Sequence, residues 1–177
     1  MSEGLLYYLA YGSNLHPVRL RERVPSAELL DVVELRPYRL VFQKRGQDGS
    51  SKCNLARTGE ESDEVYGGIY QMDPAHKSML DRFEGKGKGY HDSQLPVELH
   101  GKEYACFTYL AQPSYIEDNL KPYHWYKTLV VLGAKHLRFP DTYVRSIESI
   151  ESVEDPDEER RMQHQKLIER ILQYSNS

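Results

Sequence analysis

The run Leu5-Leu6-Tyr7-Tyr8-Leu9-Ala10 leads directly into Tyr11-Gly12-Ser13-Asn14-Leu15 and then His16-Pro17. Apolar and aromatic residues without a polar break predict a buried strand. Gly-Ser-Asn predicts a sharp turn. Pro17 suits the first position of a helix, where its missing N–H leaves no bond unmade. A strand, a tight glycine turn and a helix start aim free backbone N–H groups at an anionic or carbonyl oxygen. An ordinary turn has the same pattern, so this stretch alone assigns no chemistry.

A second stretch supplies a candidate base. Asp73 is a good N-cap, Pro74 a good first helical residue, and Ala75, Met79, Leu80 and Phe83 recur as one apolar stripe. Glu84 follows, and then Gly85-Lys86-Gly87-Lys88-Gly89, whose glycines end the helix and let the backbone turn tightly. Glu84 is thus expected at the negative end of the helix dipole, where a carboxylate has reason to carry a raised pKa suited to a general base. A surface glutamate beside lysines is the alternative reading of the same residues.

These residues must be positioned by a globular unit. The chain has 177 residues, enough for one well-buried domain and short for two. Its net charge of −4 argues against a nucleic-acid or anionic-membrane partner, and no apolar run approaches membrane-spanning length. Met1-Ser2-Glu3-Gly4 lacks the basic region of a signal peptide. The two cysteines, Cys53 and Cys106, then read as reduced thiols rather than a disulfide, and a cytoplasmic location is expected.

Pro17–Val24 predicts a short basic helix. Val32–Lys44 reads as extended, with Tyr38, Leu40 and Phe42 on one face and a start, bend or edge at Pro37. Cys53–Ala56 and Val65–Met72 predict further strands, with a bulge or close backbone approach at Gly67-Gly68. Leu95–Leu99 and Glu103–Leu110 predict a hairpin. From Tyr123 the period turns helical. Tyr126, Leu129, Val130, Gly133 and Leu137 form a stripe that ends before Pro140, and Asp141 caps a further helix. Asp155-Pro156 begins a charged last helix in which residues Asp157 to Arg161 read as a solvated face. Strands followed by helices in one small domain predict an α+β class. The expected organisation is a domain over 1–154 with 155–177 as a helix capping it.

Taken in order, four matches resemble the γ-glutamylcyclotransferase family, of the AIG2-like fold. They are Tyr11-Gly12-Ser13-Asn14-Leu15 after the first strand, and Asp63-Glu64-Val65-Tyr66-Gly67-Gly68-Ile69-Tyr70. Next comes Leu80-Asp81-Arg82-Phe83-Glu84-Gly85 with Gly89-Tyr90, where the family carries its catalytic glutamate. The last is Tyr126-Lys127 leading into Leu132-Gly133-Ala134-Lys135, Pro140 and Tyr143. The likeness runs from about residue 5 to 154, leaving out the last helix. It implies a small mixed β-barrel flanked by helices, with a cavity over the barrel mouth. The implied activity is cyclisation of a γ-glutamyl compound to 5-oxoproline with release of an amine or amino acid.

That chemistry needs no enzyme nucleophile, metal or other cofactor, because the substrate's α-amine attacks. The enzyme folds the substrate, moves a proton and stabilises an oxyanion. By the resemblance Glu84 moves the proton. The turn Tyr11, Gly12, Ser13, Asn14 and Leu15 binds the substrate α-carboxylate, the oxyanion, or both. Tyr109 and Tyr126 point into the cavity and help to hold the substrate, although core packing is the other use of a tyrosine. Ser13 lacks the partners of a serine nucleophile. The expected partner is a small γ-glutamyl molecule, with the chain a monomer or homodimer. A γ-glutamylamine-specific enzyme and a non-catalytic binding module on the same fold are the rival readings.

Overall fold

The computed structural model describes residues 4–175. Its elements follow the order β1 (Leu6–Ala10), α1 (Pro17–Arg23), β2 (Glu28–Leu35), β3 (Tyr38–Arg45), β4 (Ser51–Arg57), β5 (Val65–Met72), α2 (Lys77–Glu84), β6 (Tyr90–Leu99), β7 (Lys102–Ala111), α3 (His124–His136), α4 (Asp141–Glu148) and α5 (Glu158–Ser175). The class is α+β, as expected. The predicted extended run from Val32 is in fact the end of β2 and all of β3, broken at Arg36-Pro37.

Five strands form one sheet in the order β2-β5-β1-β7-β6, and β3-β4 form a separate two-stranded sheet. β1 lies at the centre, antiparallel to β5 and parallel to β7. Its Tyr8, Leu9 and Ala10 are buried. Gly67 on β5 is a close approach, since a Cβ there would stand 2.9 Å from the Ala10 carbonyl oxygen. The ladder irregularities lie instead between Leu29 and Asp31 on β2 and between Phe42 and Lys44 on β3.

The sheet is not closed into a barrel, which corrects the expectation. Closure requires a continuous backbone ladder around the ring. Here side chains join the β3-β4 hairpin to the main sheet. Asn54 Oδ1 accepts from the Ala111 N–H at 2.9 Å, and the Tyr90 hydroxyl donates to the Cys53 carbonyl at 2.5 Å.

Helix α3 packs over the turn that follows β1. A Cβ at Gly133 would stand 2.5 Å from Leu15 Cβ and 3.0 Å from the His16 nitrogen, neither of which is the end of a flexible chain. Gly133→Ala is therefore expected to cost about 1–3 kcal/mol through overpacking. A thermal melt measures this, and an unchanged midpoint would contradict so tight a contact.

The predicted solvated face of α5 is corrected at Arg160. Asp155 is buried and binds the Arg160 guanidinium through two bonds of 2.6 Å, while Trp125 Nε1 donates to Asp155 at 2.8 Å. The His164 ring stacks on Trp125 with centroids 3.5 Å apart. Helix α5 therefore begins at Glu158, and Asp155 is its anchor to α3 rather than its first residue. Among the described residues, no helix is long and apolar enough to cross a membrane.

Candidate active site

The turn after β1 and the end of α2 meet. The Asp73 side chain caps a single 3-10 turn over Pro74–His76, and α2 continues to Glu84. Gly85 then takes the left-handed conformation at φ 67°, which glycine adopts without a Cβ penalty, and the Lys86 N–H closes onto the Asp81 carbonyl. The helix stripe buries Leu80 but leaves Phe83 54% exposed, so Phe83 is a rim residue and not core. The Arg23 guanidinium lies over its ring.

Glu84 turns inward, with its side chain 14% exposed. Asn14 Nδ2 donates to Glu84 Oε1 at 2.5 Å, and Arg23 Nη1 stands 3.6 Å from the same oxygen. Asn14 also donates to the Tyr8 hydroxyl at 3.2 Å, and its own carbonyl faces Arg23 at 3.4 Å. The negative helix end is thus met by a cation and an amide from α1 and its preceding turn. In that turn the Leu15 N–H bonds to the Gly12 carbonyl. Among the described residues, no acceptor is paired with the backbone N–H of Gly12, Ser13 or Asn14.

These groups line a narrow cavity together with Tyr8, Tyr11, Cys53, Tyr90, Tyr109 and Tyr126. The hydroxyls are held in place. Tyr11 donates to the Tyr109 carbonyl at 2.5 Å, Tyr109 donates to Asp81 at 2.6 Å, and Tyr126 accepts from the Cys53 N–H at 2.9 Å. Burial holds the hydroxyls of Tyr8, Tyr11, Tyr90, Tyr109 and Tyr126 well above the ordinary tyrosine value, so they stay neutral. Burial also pushes the Cys53 thiol up to about 12, which leaves it without thiolate near neutral pH.

The structure therefore brings Glu84, Tyr11, Gly12, Ser13, Asn14, Tyr109 and Tyr126 to one cavity. Leu15 is placed elsewhere. It is fully buried against Gly133, and its carbonyl accepts from Tyr70 at 2.7 Å, so it fixes the turn from behind.

Ser13 lines the wall without a side-chain hydrogen bond among the described residues. Ser13→Ala is expected to lower turnover by less than about tenfold, the scale of one ordinary hydrogen bond to substrate. Trapping an acyl group on Ser13 in the unaltered protein would contradict this.

Ser13, Glu84, Tyr90 and Tyr126 also border a wider outer chamber of about 310 Å³. Its walls include Arg19, Arg23, Lys44, Lys52, Arg160 and His164, none of which stood out in the sequence. Lys44 had a readable signal, because it shares the inward face of β3 with Phe42, two residues before it. Burial pushes His164 down to about 4. Its ring is therefore neutral near pH 7, and its Nδ1–H donates to the Arg160 carbonyl at 2.8 Å.

Residues 64–147 match the model of the AIG2-like family. A gamma-glutamylcyclotransferase of Bos taurus is 33% identical over 157 residues, 84% of this chain and 80% of its own length. The Homo sapiens gamma-glutamylcyclotransferase is 32% identical, again over 84% of this chain and 80% of its own. A solved gamma-glutamyl cyclotransferase structure superposes with a TM-score of 0.79 at 26% identity, covering 94% of this chain and 99% of that one.

Proposed function

The chain belongs to the γ-glutamylcyclotransferase family, and from that premise we propose that it cyclises a γ-glutamyl compound to 5-oxoproline. One observation carries the reading. A largely buried carboxylate, Glu84, lines one narrow cavity with the turn Gly12-Ser13-Asn14, whose backbone N–H groups have no acceptor among the described residues, and the 2.5 Å contact from Asn14 links the two.

In this reading the γ-glutamyl group lies at the mouth of the narrow cavity, where it opens into the outer chamber beside Ser13 and Glu84, and folds so that its α-amine approaches its own γ-carbonyl. Such proximity is worth several kcal/mol of the barrier. Glu84 takes a proton from the α-ammonium. The nitrogen lone pair forms the new N–C bond, and the carbonyl oxygen gains negative charge. The N–H groups of Gly12, Ser13 and Asn14 stabilise that charge or hold the substrate α-carboxylate. The bond to the leaving amine then breaks as Glu84 returns its proton to that nitrogen, and the second proton of the new ring nitrogen passes to the released amine, which leaves as an ammonium beside neutral 5-oxoproline lactam. Tyr11, Tyr109 and Tyr126 are neutral walls that shape the folded substrate. No other nucleophile enters, so the step is an intramolecular acyl transfer without a cofactor in the bond-making. Residues 1–154 form the catalytic unit, residues 155–177 cap it, and the reaction takes place in the cytoplasm.

Release of 5-oxoproline from γ-glutamyl-alanine, ε-(γ-glutamyl)-lysine and glutathione tests the proposal. Release from at least one substrate supports it. Tight binding of all three without release would favour a binding module.

A further inference from the structure

The outer chamber carries far more positive charge than its neighbours neutralise. Seven lysines and arginines face it against two carboxylates, Asp48 and Glu84, in a chain whose net charge is −4. Some of these cations are satisfied. Lys52 pairs with Asp48 at 2.8 Å, Arg23 faces Glu84, and Arg160 is held by Asp155.

Arg19 and Lys44 have no ion-pair partner among the described residues. Arg19 Nε is buried without a hydrogen-bond partner, and no ion pair forms at Arg19 among the described residues. Lys44 is only 5% exposed. It also lacks a carboxylate within ion-pair distance among the described residues, and its ammonium lies over the Tyr90 ring, 4.5 Å from the centroid. Burial pushes Arg19 down to about 9 and lowers Lys44 as well. A buried cation without a counter-ion is costly to keep. Two of them, on α1 and β3, enter one chamber from separate elements, and both feel the field of Glu84. A ligand bearing two separate anionic groups would neutralise both.

We propose that the outer chamber receives the leaving group, and that the preferred leaving amine carries two negative charges. An acidic amino acid and a phosphorylated amine share that chemistry. The inference rests on the cyclotransferase reading, in which the chamber adjoins the γ-glutamyl cavity at Glu84 and Tyr126. Arg82 and Lys88 at the rim add positive potential that draws anions inward.

The test compares kcat/KM for four substrates: γ-glutamyl-glutamate, γ-glutamyl-O-phosphoethanolamine, γ-glutamyl-alanine and γ-glutamyl-ethylamide. Each charge-assisted contact is expected to contribute roughly tenfold or more, so one or both dianionic substrates should exceed the ethylamide by about 100-fold. Which dianion leads tells carboxylate from phosphate. Lys44→Met and, separately, Arg19→Met should each shrink the dianion-to-ethylamide ratio by about tenfold, again the scale of one charge-assisted contact. The two variants guard against a folding failure in either one. Equal kcat/KM for all four substrates would overturn the dianion preference and leave the cyclotransferase reading intact. A ratio unmoved in both variants would overturn the assignment to Lys44 and Arg19. Absence of 5-oxoproline from every substrate would overturn the reading itself and the inference with it.

Discussion

Glu84→Gln is expected to abolish measurable turnover while the fold survives. A positioned general acid–base group contributes about 10²–10⁴-fold, and Glu84 is asked to serve in both directions. The substitution is gentle on structure. The Asn14 amide donates to a Glu84 oxygen, and a glutamine carbonyl at the same place accepts that bond. Arg23 loses a partner that stands at 3.6 Å, while its contact to the Phe83 ring remains. Steady-state kinetics paired with a thermal melt checks both halves. A fully active variant would remove Glu84 from proton transfer. An inactive variant that has also lost its melting transition would reflect folding rather than chemistry.

The largest expected loss of stability is at Asp155. Asp155→Ala leaves Arg160 without its two bonds and Trp125 without an acceptor, and it frees the start of α5. Arg160 is 29% exposed, so the cost is placed at about 2–3 kcal/mol, below the range for fully enclosed pairs. In a chain of this size that is a fall of roughly 5–10 °C in melting temperature. The pH dependence has a definite sign. Hydrogen bonding from the Arg160 guanidinium, ahead of the opposing effect of burial, holds the Asp155 carboxyl well below the usual carboxylate range. A depressed folded-state pKa gives stability that is fully present above the unfolded value of about 4 and lost as pH falls further. The difference between the unaltered protein and Asp155→Ala should therefore be constant near neutral pH and shrink below about pH 4. A difference that instead grew on acidification would contradict the pairing.

How much could be read beforehand depends on how local each signal was. The turn Tyr11–Leu15 and the helix ending at Glu84 were legible because caps, glycines and strand ends are decided within a few residues. Their meeting was foreseen through the family resemblance. The Asn14 contact that joins them spans 70 residues and leaves no trace in local spacing. Phe83 and Leu15 show the limit of side-chain typing. An apolar stripe does not say which member reaches the rim, and a motif does not say which member supports it from behind. Barrel closure was expected by family analogy, but it depends on which edge groups pair. Asn54 and Tyr90 settled that with side-chain bonds. Arg160 was the least legible. It lies within a run of charges that reads as solvated, and only the buried Asp155, five residues earlier, turns it toward the chamber.

The central claim is that the substrate's own amine, and not water, attacks the γ-carbonyl. The most direct measurement is to run the reaction on γ-glutamyl-glutamate in heavy-oxygen water and weigh the products. The account predicts 5-oxoproline and free amine in equal amounts, with no heavy oxygen in the 5-oxoproline. Glutamate carrying heavy oxygen in its γ-carboxyl as the first product would mean hydrolysis and would contradict it.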